Sequence, residues 1–351
     1  MSASAAADAR RTEGEESGPL LDVRDLTVTY QSGKVPVYAA RGVDLTLEAG
    51  ETLGMAGESG SGKTTVAMSL LRLLPEETTV TGEIRFRGED LLQANWGRMR
   101  AVRWAEASVV FQGAMHALNP VRKIGEQIAE PLRLHPPAGT ALTDEQVDAR
   151  VADLLTQVDL PPSRAGAYPH ELSGGQKQRV MIAMALACSP RLLIADEPTT
   201  ALDVMVQAQV LTLLEELGRE LGLALLLITH DLSVLAEVSD RLAIMYAGRI
   251  VEEGPAAPVF TDPKHPYTRA LAGSFPAIGD DQYRMKPSGL GGDPPDPQNI
   301  PSGCSFHPRC PLAFDECQTT DPSLYDAGPG RLAACLLVRQ PAAVGEVSDG
   351  E

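Results

Sequence analysis

Basic charge is scarce in this sequence: 30 Lys and Arg stand against 47 Asp and Glu, a formal net charge of -17. Phosphate backbones are gripped by clustered Lys and Arg, so a chain this acidic is not expected to bind DNA or RNA. Long apolar runs are missing too. The longest, such as Leu221 to Ile228, fall well short of the roughly 20 residues that cross a bilayer, so the chain is expected to be soluble by itself and to reach a membrane only through a partner. Residues 1–19 lack the apolar stretch of a signal peptide and mix charge with small residues, which reads as a disordered tail in a cytosolic, reducing compartment. The five cysteines are then not expected to form disulfides. No internal repeat, long coiled coil or basic arm is evident, so a single copy of any functional unit is expected. At 351 residues there is room for one large domain and an appendage.

What is present is rich in glycine at two places. The run Gly57, Glu58, Ser59, Gly60, Ser61, Gly62, Lys63, Thr64, Thr65 comes after the strand-like Glu51 to Ala56 and opens the helix-like stretch to Leu74, which is the context a P-loop requires. There the glycines let backbone N–H groups wrap phosphates at a helix N-terminus, Lys63 brings a point charge to the β and γ groups, and Thr64 reaches Mg²⁺. Further on, the apolar Leu192 to Ala195 reads as a buried strand that delivers Asp196 and Glu197 to its carboxyl end, where α/β sheets bind ligands. Asp196 is expected to hold the metal, through water, and Glu197 to take a proton from the attacking water. The second glycine run, Ser173-Gly174-Gly175-Gln176, begins a helix with Ser173 as its cap.

Around these motifs, alternation at Leu20 to Tyr30 and Ala40 to Ala49 predicts an antiparallel flap. Helical patterns at Ile124 to Leu134 and Asp144 to Val158 predict a helical insert. The order strand Arg191 to Ala195, helix Val204 to Leu221, strand Ala224 to Thr229, helix Leu232 to Val238, strand Arg241 to Tyr246 implies a mainly parallel sheet. The expected division is a tail at 1–19, a nucleotide-binding domain at 20–260 with a helical subdomain at about 116–185, a short helix and Pro/Gly linker at 261–303, and a cysteine module and tail at 304–351.

From Gly57 to Arg249 the chain resembles the nucleotide-binding subunit of an ABC transporter: the P-loop is joined by LSGGQKQRV at Leu172 to Val180 and LLIADEPTTALD at Leu192 to Asp203. The resemblance implies an α/β fold: a P-loop NTPase core with a mainly parallel sheet, an N-terminal antiparallel β-flap, a helical signature subdomain and a small C-terminal cysteine-containing extension. It further implies that Gln112 senses Mg²⁺ and the lytic water, that His230 contacts the γ-phosphate, and that Asp203 crosses a dimer seam. By the same likeness Ser173, Gly174, Gly175 and Gln176 bind ATP held by an opposite subunit. Tyr30 stands in the place of the aromatic that stacks on adenine, with Tyr38 as a rival. The cofactors implied are ATP and Mg²⁺.

YPHELSGGQKQRVMIAMALACSPRLLIADEPTTALDV at Tyr168 to Val204, FTDPKHPYTRALAGSFP at Phe260 to Pro276 and IPSGCSFHPRCPLAFDEC at Ile300 to Cys317 are similar to the dipeptide/oligopeptide importer ATPases. Members of that group also serve nickel and oligosaccharide importers. The resemblance implies two transmembrane permease subunits, a second, nonidentical ATPase subunit, an external solute-binding protein, and a place on the cytoplasmic face of the cell membrane. A soluble ABC ATPase and a non-hydrolysing ATP-binding regulator are the competing readings.

Cys304, Cys310, Cys317 and Cys335 crowd the last part of the chain without a CxxC pair. Relatives of the importer ATPases carry an iron–sulfur cluster on such a run, and four thiolates suit a 4Fe–4S centre. Zinc with help from His307, or plain structural thiols, are the alternatives. Cys188 sits in an apolar helix face and reads as a core residue.

Overall fold

A computed structural model describes residues 18–32, 35–113, 117–136, 140–200, 202–274 and 291–339. The expected N-terminal tail up to position 17 and the C-terminal tail from position 340 lie outside the described residues.

Two sheets organise the chain. In the first, β1 (Leu21–Ser32) pairs antiparallel with β2 (Val35–Leu47) and with β4 (Thr79–Phe86), and β5 (Glu89–Asp90) extends β4, giving the order β2-β1-β4-β5. This is the expected flap. In the second, β3 (Thr52–Ala56), β6 (Ala107–Val110), β7 (Leu192–Asp196), β8 (Ala224–Ile228) and β9 (Arg241–Tyr246) run parallel in the order β9-β3-β8-β7-β6. Every residue of β3, β7 and β8 is buried, as central parallel strands covered on both faces must be, and their sequences are continuous apolar runs for that reason.

The two faces of this sheet feed two cores. Ile194, Leu226 and Met245 pack with the flap and with α1 (Lys63–Leu70), whereas Leu193, Leu227 and Ile244 pack with the helical side. Alternate residues of one strand thus serve opposite cores, the period of two that a strand imposes. The helical side comprises α3 (Ile124–Leu134), α4 (Asp144–Gln157) and α5 (Gly174–Leu186), joined through Ile128, Val151, Leu154 and Val180. The shorter α2 (Trp96–Val102) lies before β6. Crossovers α6 (Val204–Leu221) and α7 (Leu232–Val238) link β7 to β8 and β8 to β9.

The chain then returns on the same core. Strand β10 (Arg249–Pro255) pairs antiparallel with β9, α8 (Ala256–Thr261) and α9 (Pro266–Gly273) come next, and β12 (Leu332–Ala333) pairs with β10 while β11 (Tyr325–Asp326) pairs with β12. Phe306 is buried with Tyr246 and Tyr267, ring centroids 5.2 and 5.4 Å away, in edge contacts favoured by ring quadrupoles. Arg331, 7% exposed, meets Glu252, 0% exposed, at 3.0 Å, and Glu252 also accepts from the N–H groups of Lys264 and His265. A charge buried so deeply needs such partners. The cysteine-bearing extension therefore shares the core of the parallel sheet.

Candidate nucleotide-binding site

Strand β3 ends at Ala56 and the loop after it is wedged tightly. Gly62 has φ 105°, and a Cβ there would lie 2.1 Å from the carbonyl oxygen of Ala39 in β2; only glycine fits. The loop N–H groups at the start of α1 thereby take the arrangement that binds anions. Lys63 is buried and its ammonium donates to the carbonyl oxygens of Gly57 (2.7 Å) and Glu58 (2.9 Å) and to Ser61 Oγ (3.3 Å). Burial lowers its pKa, against the pull of Glu197, Asp196 and Glu58.

At the end of β7, Asp196 is 1% exposed and accepts a hydrogen bond from Thr64 Oγ1 at 3.2 Å. Burial pushes its carboxyl pKa up; the Thr64 hydroxyl and Lys63 pull it back, and Glu197 adds to the rise. Glu197 has φ 45°, a left-handed conformation that costs a non-glycine residue about 1–3 kcal/mol and marks functional sites. Its Oε2 accepts from Gln112 Nε2 (2.6 Å) and Thr200 Oγ1 (2.9 Å).

These groups surround one cavity of about 320 Å³, within the range of small-molecule sites. It is lined by the loop from Glu58 through Ser59, Gly60, Ser61 and Gly62 to Thr65, by Gln112 and Glu197, and by both Tyr30 and Tyr38. Tyr30 Oη and Thr65 Oγ1 lie 3.3 Å apart, whereas Tyr38 is 47% exposed. Thr64 lines the cavity while Asp196, bonded behind it, does not, and this pair of oxygens suits a hard cation such as Mg²⁺.

Other residues singled out in the sequence stand elsewhere. Ser173 is exposed and closes a capping box with Gln176 at the start of α5, its Oγ accepting from Gln176 N–H at 3.3 Å and Gln176 Oε1 accepting from Ser173 N–H at 3.1 Å. Asp203 caps α6, accepting from Val206 N–H at 3.0 Å. The two helix starts touch: a Cβ on Gly175 would come within 2.5 Å of Val206 Cγ1. His230, just past β8, is exposed. None of Ser173, Gly174, Gly175, Gln176, Asp203 or His230 lines the cavity.

The metal centre expected of the cysteines finds no support in the arrangement of the described residues. Cys304, Cys310, Cys317 and Cys335 line one small cavity of about 20 Å³ with His307, yet among the described residues no group of three or more His, Cys, Asp or Glu could hold a metal ion. Burial pushes the Cys304 thiol up to about 11 and raises Cys310 and Cys335 as well. Cys188, whose thiol lies among α3 and α5 and donates to the Pro131 carbonyl at 3.5 Å, packs against the core as its setting suggested.

Three groups that hold site residues were missed in the sequence. Tyr267 Oη accepts from Glu58 N–H at 2.8 Å, Arg309 grips both carboxylate oxygens of Glu58, and Thr200 bonds Glu197. Only Thr200, three residues after Glu197, was within reach of sequence reasoning.

The same residues carry the likeness to known proteins. The "ABC transporter" family profile matches residues 40–200, and the "Oligopeptide/dipeptide transporter, C-terminal region" profile matches residues 251–317. A "Probable peptide ABC transporter ATP-binding protein y4tR" of Sinorhizobium fredii is 46% identical over 325 residues, 90% of this chain and 94% of that one. The chain belongs to the ATP-binding subunits of the oligopeptide and dipeptide ABC transporters. The "Oligopeptide transport ATP-binding protein OppD" of Mycobacterium tuberculosis is 45% identical over 91% of this chain, which spans 52% of that longer protein. Among solved structures, the "Dimeric Structure of MJ0796, a Bacterial ABC Transporter Cassette" is similar with a TM-score of 0.60 and 30% identity, over 67% of this chain and 98% of that cassette. This ABC subunit is an ATPase, its fold is that of the cassettes, and ATP with Mg²⁺ fits its family. Cassettes of the family dimerise and work with membrane permeases. Among the described residues no helix of this subunit is long and apolar enough to cross a membrane.

Proposed function

We propose that this chain is one of two facing ATPase subunits that power uptake of dipeptides or oligopeptides. The observation that carries the reading is a divided site: the loop, Gln112 and Glu197 line the cavity while the helix start at Ser173 faces solvent. A second subunit placed opposite would bring its own Ser173, Gly174, Gly175 and Gln176 to the γ-phosphate held here, and Asp203 to the seam. Shifting such a pair from 1:99 to 99:1 closed takes about 5.5 kcal/mol, which charge-assisted contacts to a γ-phosphate can supply.

Within one half, Lys63 and the N–H groups of Gly57 to Thr65 hold the β and γ phosphates, and Tyr30 meets the adenine. Thr64, Asp196 and Gln112 would hold Mg²⁺, which neutralises charge on the transferred phosphoryl group. Glu197, oriented by Gln112 and Thr200, takes the proton of the attacking water, and His230 approaches the γ-phosphate from the end of β8. The expected result for Glu197→Gln is turnover slowed about 10² to 10⁴-fold with ATP binding kept. Normal turnover in that variant would remove Glu197 from this role.

The names and C-terminal region of the relatives favour peptides as cargo; the resemblance to importer ATPases adds two permeases, a second, nonidentical ATPase, an external solute-binding protein, and a place on the cytoplasmic face of the membrane. Capture of the subunit from native membranes, then ATP-driven uptake of labelled dipeptides, nickel and oligosaccharides by the captured complex, tests this; uptake of nickel or sugar alone would replace the peptide reading. An iron–sulfur cluster on Cys304, Cys310, Cys317 and Cys335 rests only on their shared cavity, and iron with acid-labile sulfide in anaerobically purified protein decides it.

A further inference from the structure

The ATPase core does not close the nucleotide cavity by itself. Pro294, Pro295, Pro297 and Ile300, from the stretch before the cysteines, line the same space as Tyr30 and Tyr38. Pro295 and Ile300 are half-buried and the other two exposed, so an apolar surface is offered to whatever enters. The triphosphate end is fixed by the loop and Lys63, which leaves the base and ribose for the end where this stretch and the tyrosines stand.

One side chain ties the stretch to the loop. Arg309 donates from Nη1 to Glu58 Oε2 (2.7 Å) and from Nη2 to Glu58 Oε1 (2.9 Å), while its Nε donates to the carbonyl oxygen of Gly291 (2.9 Å), at the head of the proline stretch. The guanidinium is 7% exposed and lies 5.9 Å from the Phe306 ring centroid and 5.8 Å from that of Tyr246. A planar fork with five donors meets the carboxylate bidentately and still reaches the Gly291 carbonyl, a geometry that the three donors of an ammonium do not reproduce.

Resting on the ATP site described above, we propose that the C-terminal extension is part of that site: Pro294 to Ile300 forms a wall against the base and ribose of ATP, and Arg309 is the positioning residue that fastens it to Glu58 of the P-loop. Proline rings have fixed φ and no N–H to satisfy, so they form an apolar face that costs little entropy to order when the ligand arrives. Sequence motifs place nucleotide recognition in the first 230 residues; the wall adds contacts from beyond position 290.

The test uses the full-length chain in its assembled transporter and measures KM and kcat for ATP together with inhibition by inorganic tripolyphosphate, which has no base. The double variant Pro295→Ala/Ile300→Ala is expected to raise KM for ATP about 5- to 10-fold, with kcat within about 2-fold and tripolyphosphate inhibition unchanged, because these half-buried side chains offer apolar contact to the base and ribose and none to the phosphates. Arg309→Gln is expected to raise KM for ATP and weaken tripolyphosphate alike, about 10-fold, since Glu58 and the loop lose their anchor, and Arg309→Lys to recover only part. An unchanged KM in the double variant, or tripolyphosphate inhibition falling in step with ATP there, would overturn the wall. Full recovery by lysine would overturn the positioning role. If the ATP reading itself were wrong, the unaltered complex would show neither turnover nor inhibition, before any variant is compared.

Discussion

Asp196 and Glu197 adjoin in the chain but live in different settings. Asp196 is sealed from solvent against Thr64, and its raised pKa means that the folded protein favours the protonated acid. The sign is then fixed: the ionised carboxylate costs stability at neutral pH, and the cost is absent below the unfolded pKa. Asp196→Asn keeps an oxygen for the Thr64 hydroxyl and removes the charge. It is expected to raise the melting temperature of the nucleotide-free protein while lowering Mg²⁺-dependent turnover at least about 10²-fold, checked by thermal melts and phosphate release. Both residues were legible in sequence because four apolar residues precede them, and the carboxyl end of a buried strand exposes the side chains beyond it. The strain at Glu197 was not, since φ depends on how β7 meets the next turn.

Among the elements, the starts of α5 and α6 carry the clearest consequence. The Ser173 hydroxyl caps its own helix, so Ser173→Ala should destabilise the fold by about 1 kcal/mol in urea titrations. Gly175→Ala acts differently. Its methyl would press on Val206, tilting α5 against α6 at the face offered to a second subunit. Turnover is expected to fall about 10-fold or more, and Val206→Ala in the same chain to restore much of it; equal losses in single and double variants would show that the two residues do not couple. Helices at Val204–Leu221 and Leu232–Val238 and strand Arg241–Tyr246 were readable because periodicity and caps agree there. Strand β10 was not: Glu252 and Glu253 interrupt its alternation, and Glu252 is buried only because Arg331 neutralises it.

For the whole molecule, the extension is held by buried polar groups with little slack. Arg331→Met leaves Glu252 unpaired inside, and about 3–5 kcal/mol of stability should be lost in denaturant titrations at neutral pH. His265 is fully enclosed between β10 and Phe306, its Nδ1 accepting from Tyr267 N–H at 3.0 Å, and burial lowers its pKa from 6.5 to about 4. A depressed pKa stabilises above the unfolded value and the benefit fades as pH falls toward the folded one. Between pH 7.5 and 5 this histidine alone should cost about 2 kcal/mol, and His265→Asn, which can still cap α9, should flatten that loss in unfolding curves taken at both pH values.

By itself the sequence determined the phosphate loop, the acidic pair at the strand end, the capped glycine helix and the alternating order of strands and helices, because each is set by neighbours within a few residues. Tertiary structure alone decided that Arg309 meets Glu58 and that a proline stretch beyond position 290 lines the cavity with Tyr30. Such contacts join residues hundreds of positions apart through the packing of a shared sheet, and no local periodicity records them.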